Sequence, residues 1–114
     1  MITIEKLNTF GADTAEGLGR CFNNQGLYLK LVAMIPGEKN FGYLEDALNR
    51  HDLHAAFEAA HALKGVLGNL SLTPLYDPVS EMTELLRRST ETDYTPLLNT
   101  VMEKRAALAA LCAD

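Results

Sequence analysis

A chain of 114 residues is short enough for one folding unit, and its apolar share of 47% with no Trp supports one core of Leu, Ala, Val and Met, as helix bundles have. The net charge of −5, with no basic run longer than a pair such as Arg87-Arg88, excludes a phosphate-reading nucleic-acid surface. No apolar run approaches the roughly 20 residues of a membrane span, and the start "MITIEKLNTF" is not basic-then-apolar, so a cytoplasmic chain without membrane attachment is expected.

No Pro/Gly/Ser-rich linker divides the sequence, which reads as one domain over 1–114. Helix signals recur throughout, and no stretch shows the two-residue period of a strand. A short first helix spans Thr3 to Thr9, with Ile4 and Leu7 on one side, and ends near Gly11. Asp13 caps a second from Thr14 to about Phe22, interrupted by Asn23-Asn24. Cys21 lies far from Cys112 in sequence, and both read as free thiols.

Leu27, Leu31, Met34 and Ile35 fall at helical spacing until Pro36-Gly37 stops or bends the helix. Glu38 to Arg50 gives the next, with Phe41, Leu44, Ala47 and Leu48 on one side. Asp52 caps the longest uninterrupted helix, Leu53 to about Ser71. Thr73-Pro74 reads as a capping hydroxyl followed by a proline preset for the first turn. Pro78 lies inside the run to Arg88, so that helix either restarts with Asp77 as cap or bends. Asp93 or Thr95, before Pro96, opens the last helix, which carries Leu97, Val101, Leu108 and Leu111. Short connections between long amphipathic helices predict an all-α fold, an antiparallel up-down four-helix bundle with a short extra N-terminal helix.

The helix from Leu53 holds two glycines in "EAAHALKGVLGNL". At about 100° per residue, His61, Lys64, Gly65 and Gly68 form one stripe, with Phe57 beside them. Ala55, Ala56, Ala59, Leu63, Val66, Leu67 and Leu70 form the opposite, core-facing band. His61 therefore points outward. Each mid-helix glycine costs about 1 kcal/mol relative to Ala on such a face, so two together imply a use: a clearing that lets another macromolecule reach the imidazole. Taken singly, each residue has a bland reading, with His61 and Lys64 as solvated side chains and the glycines as positions where another helix packs closely.

An exposed imidazole beside an ammonium suits reversible phosphorylation. With an ordinary histidine pKa of about 6.5, much of a solvated ring is unprotonated at neutral pH and can attack phosphorus. A flat site suffices if a partner brings the metal and the remaining charge. Glu58-x-x-His61, with His54 one turn from Glu58, has the spacing of a di-iron bundle ligand pair. No second Glu-x-x-His exists and the cluster points away from the core, so no metal site is expected.

"AHALKGVLGNLSL" resembles the His-x-Leu-Lys-Gly signature of histidine-containing phosphotransfer (HPt) domains, the modules of bacterial multistep phosphorelays. "RCFNNQGLYLKLVAMI" and "LNRHDLHAAFEAAH" extend the likeness over most of the chain. The resemblance implies His61 as phosphoacceptor, Lys64 as the phosphate-stabilising lysine and Gly65 as the small residue that clears the docking surface; the helical stripe adds Gly68 to that surface, with Phe57 and His54 at its rim. It implies a phosphohistidine intermediate without kinase activity, fed by a hybrid histidine kinase and exchanging phosphate with response-regulator receiver domains. No cofactor is expected on this chain, since Mg²⁺ belongs to the receiver; a free-standing, monomeric module is the expectation. The alternative function is a non-catalytic module that binds a receiver or kinase. Ser71 stands where many members have a second signature glycine, Pro78 interrupts the following helix, and Thr83 falls where members often carry a Gln near the histidine.

Overall fold

The computed structural model describes residues 1–113, and among them finds seven α-helices and no strand. Three short helices come first: α1 (Ile4–Phe10), α2 (Thr14–Arg20) and α3 (Gln25–Met34). A 3-10 turn, Ile35–Gly37, leads into α4 (Asn40–Asn49), α5 (Leu53–Asn69), α6 (Thr73–Arg87) and α7 (Thr95–Ala113). The expected extra N-terminal helix is thus the first of three short ones.

Local chemistry sets most boundaries. The carboxylates of Asp13 and Asp52 accept from the backbone amides of Glu16 and Ala55, and Asn24 accepts from Leu27, each filling an orphan amide of a first turn. Asp93 accepts from the amide of Thr95 at 2.9 Å where α7 begins. Gly11 ends α1 with a φ of 109°, a left-handed conformation natural to glycine.

One expectation changes at α6. Leu72, not Thr73, occupies the N-cap position, and the Thr73 hydroxyl turns back toward the Ser71 carbonyl. Of the two alternatives at Pro78, the restart with Asp77 as cap does not occur, since one helix runs from Thr73 to Arg87. A proline here gives up one intrahelical bond, to the carbonyl of Pro74, which is only half-buried, and a single loss is tolerated.

The last four helices, α4 to α7, run antiparallel in sequence. Short connections place α5 beside both α4 and α6, and α6 beside α7. Contacts between α5 and α6 confirm the direction: Gly68 lies against Tyr76, Lys64 against Glu84, and Phe57 against Arg87. Arg105 of α7 donates to the Pro36 carbonyl at 2.9 Å and stacks over Phe41, fixing the far side of the bundle.

The core is continuous through Tyr28, Phe41, Leu44, Leu63, Leu67, Leu75, Met82 and Leu108, all fully buried. The face of α3 differs from the expected one. Tyr28, Val32 and Ile35 are buried, whereas Leu27 and Met34 are exposed and Leu31 is half-buried. Tyr28 decides the rotation because its hydroxyl donates to the Leu70 carbonyl at 2.9 Å, at the end of α5. Gly17 of α2 lies directly against that ring; a Cβ there would come within 2.5 Å of Tyr28 Cε1. The α1–α3 segment is thereby fastened to the C-terminal end of α5, with a further backbone bond from Asp13 N–H to the Ser71 carbonyl.

Candidate functional site

Wedged between α4 and α6, α5 buries Ala56, Ala59, Ala60, Leu63, Leu67 and Leu70. Ala60 joins the expected core band, while Ala55 and Val66 mark its half-buried edge. The buried arc is rotated toward α6, which divides the His61 stripe in two. Exposed on the open side are His61, Glu58, Ala62 and Gly65. Turned toward α6 and half-buried are Phe57, Lys64 and Gly68.

That division separates the two glycines. A Cβ added to Gly65 would meet nothing within 4 Å, so this position leaves open space beside the imidazole. A Cβ added to Gly68 would come within 3.0 Å of Tyr76 Cε1. Gly68 is therefore also a close-packing position between α5 and α6, while it still lines the open space beside His61 together with Lys64 and Gly65.

Phe57 is half-buried rather than freely exposed. Its ring centroid is 5.5 Å from that of His61 at an interplanar angle of 52°, and the Arg87 guanidinium carbon lies 5.1 Å from it on the other flank. Arg87 in turn holds Glu84 through contacts of 3.4 Å from Nε to Oε1 and from a terminal guanidinium nitrogen to Oε2. Lys64 Nζ reaches across from α5 to the same Glu84 Oε2 at 3.5 Å. Arg87 first, and Lys64 after it, hold the Glu84 carboxyl below its ordinary pKa and keep it ionised. His61 thus sits at one end of a chain of side-chain contacts running through Phe57, Arg87, Glu84 and Lys64.

On its other flank an open trough of about 440 Å³ runs between α2, α5 and α6. His61, Lys64 and Gly65 line one wall, with Arg20, Ser71 and Tyr76 opposite. Ser71 adopts a φ of 54° just after the end of α5, a left-handed conformation that favours glycine. The serine side chain has a use of its own, donating from Oγ to Glu16 Oε1 at 2.7 Å and so tying α2 to the rim.

Other expected residues fall outside this centre. His54, two turns before His61, is exposed and paired with Glu58 at 2.8 Å. His51 pairs with Glu91 at 3.0 Å at the opposite end of α5 from Gly68. Thr83, expected near the histidine, is fully buried and donates to the Val79 carbonyl at 2.7 Å in its own helix. The polar groups that α6 presents to α5 are Glu84 and Arg87 instead. Nothing in the sequence marked them, because the facing of α6 onto α5 depends on the rotation of both helices.

Among the described residues no group of three or more His, Cys, Asp or Glu side chains is placed to hold a metal ion. Cys21 and Cys112 are free thiols, the first buried and the second half-buried. Burial pushes the Cys112 thiol above its ordinary pKa, which disfavours the reactive thiolate. No described helix is long and apolar enough to cross a membrane.

No curated protein and no solved structure matches the chain. A family model described as the Hpt domain matches residues 37–114, a stretch that begins before α4 and includes the whole α5 and α6 arrangement around His61. With more than half of its length matched, and with the helical bundle and exposed histidine in place, the chain belongs to the Hpt domain family.

Proposed function

We propose that His61 is the phosphoacceptor, taking a phosphoryl group from a receiver-domain aspartyl phosphate and passing it to another receiver aspartate. Family membership gives histidine phosphotransfer in phosphorelays as the general role. The observation that carries the specific reading is the pairing of exposed His61 with Gly65, where a Cβ would meet nothing within 4 Å. A convex helix face with open space beside a nucleophile suits a macromolecular donor, not a small enclosed substrate.

In the forward step an unprotonated ring nitrogen of His61 attacks phosphorus. The N–P bond forms as the acyl O–P bond breaks, and the aspartate carboxylate leaves with its electron pair. Lys64 supplies the positive charge this chain can offer to the phosphoryl oxygens, while the receiver brings Mg²⁺. The return step reverses these bonds on a second receiver. Phe57 and the exposed His54 border the docking surface, and the trough between α2 and α5 admits the receiver's projecting loops. A hybrid histidine kinase is the upstream partner this scheme implies. We assign the whole of 1–114 to one unit, supported by the Tyr28, Asp13 and Ser71 contacts that join α1–α3 to the end of α5.

The test is transfer from receiver domains charged with acetyl phosphate, comparing the native chain with His61→Gln. Phosphate on the native chain and none on the variant is expected. Binding of a charged receiver without transfer to the native chain would favour a non-catalytic interaction module.

A further inference from the structure

The lysine proposed to hold the phosphoryl group is already engaged. Lys64 Nζ lies 3.5 Å from Glu84 Oε2, and its side chain is 28% exposed because it leans across the groove onto α6. Glu84 is held independently by Arg87, whose guanidinium is itself seated 5.1 Å from the Phe57 ring centroid. If Lys64 departs, Glu84 keeps a cationic partner on its own helix.

Resting on the phosphoacceptor reading of His61, we propose that Glu84 is a positioning residue that competes with the phosphoryl group for Lys64. One ammonium then serves two anions in turn: Glu84 at rest, and the phosphoryl oxygens once His61 is modified. The phosphoryl group carries a charge near −2 and several strong acceptor oxygens, so it outbids a single carboxylate that Arg87 already neutralises in part. Arg87 makes the exchange easy, since Glu84 remains paired and charged throughout.

The competition has a definite sign. In hydrolysis of phosphohistidine, water attacks phosphorus, the N–P bond breaks, its electron pair returns to the ring nitrogen, and inorganic phosphate leaves. In a loose transition state negative charge moves from the phosphoryl oxygens toward the departing nitrogen. A cation held at those oxygens therefore stabilises the phosphorylated state more than the transition state. Glu84, by drawing Lys64 away, shortens the lifetime. Were Glu84 instead a support that aims Lys64 at the phosphate, its removal would have the opposite effect.

The experiment labels the purified chain with phosphoramidate and follows decay of the phosphohistidine signal by ³¹P NMR. It compares the native chain, Glu84→Gln, Glu84→Ala, Lys64→Ala and the Lys64→Ala/Glu84→Gln double variant. Thermal unfolding of each verifies folding. Both Glu84 variants are expected to lengthen the half-life by about two- to fivefold, the scale of a partly exposed ion pair. The gain should shrink in high salt and vanish in the Lys64→Ala background, which a merely structural role would not produce.

An unchanged or shortened half-life in the Glu84 variants would overturn the proposal. So would a gain that persists without Lys64, because Glu84 would then act on the phosphate directly. Failure of the native chain to take any label would remove the phosphoacceptor reading and this inference with it. Normal labelling with equal half-lives would remove the inference alone.

Discussion

Replacing Gly65 by Gln sets stability against function at one position. The structure leaves nothing within 4 Å of a Cβ there, so no clash opposes the new side chain. Glycine is about 1 kcal/mol less favourable than alanine inside a helix, and Gln lies close to alanine on that scale. The variant should therefore gain roughly 0.5 kcal/mol, or about 2–4 °C in Tm for a domain of this size. The same side chain fills the space beside His61. Displacing a docked receiver by about 1 Å can reduce the rate about a hundredfold, because phosphoryl transfer requires close alignment of the reacting atoms. A small donor needs no such approach, so labelling by phosphoramidate should change by less than about threefold, well below that alignment penalty. Urea and thermal unfolding followed by circular dichroism, with labelling by phosphoramidate and by a charged receiver, separate these effects. Native-like transfer from the receiver would refute the clearing argument, and a fall in stability would refute the assignment of Gly65 to open space.

Gly17→Ala should destabilise by about 1–3 kcal/mol in urea unfolding, because its Cβ would press to 2.5 Å on a fully buried Tyr28 ring whose hydroxyl is fixed to Leu70. Tyr28→Phe should lose about 1 kcal/mol at neutral pH by leaving the Leu70 carbonyl without that donor. Burial pushes the Tyr28 hydroxyl from 10.0 up to about 12, so its neutral form is favoured in the fold. The corresponding stability is fully present below pH 10 and is lost as pH rises through about 12, with a limiting slope of about 1.4 kcal/mol per pH unit. The Phe variant should lack that part of the pH profile. Asp52→Ala should remove the first-turn bond to Ala55 N–H and lower stability by about 1 kcal/mol, while labelling of His61 at a temperature well below Tm stays unchanged.

Features set by a few neighbouring residues were legible in the sequence. Asp13 and Asp52 cap as expected, Pro36-Gly37 ends α3, and the outward direction of His61 follows from the apolar band opposite it. Features that depend on how one helix rotates against another were not. On α3, apolar residues lie on two adjacent faces, and the choice falls to Tyr28 because its ring fills the space left by Gly17 while its hydroxyl reaches Leu70. Gly65 and Gly68 look alike in sequence, yet Tyr76 of another helix makes one a packing contact and leaves the other open. Glu84, not the expected Thr83, faces the groove because a rotation of about 100° separates neighbours on a helix, enough to send one into the core and the other to the groove. Ser71 was readable as a substitution for glycine, but its bond to Glu16 depends on α2 folding back onto the end of α5.

The most direct test of the central claim is intact mass after incubation with phosphoramidate, comparing the native chain with His61→Gln. One acid-labile phosphate on the native chain, absent from the variant, is the predicted result. His51 and His54 are also exposed, so a phosphate that persists in His61→Gln, or a native chain that takes no label while a phosphohistidine protein in parallel does, would contradict the account.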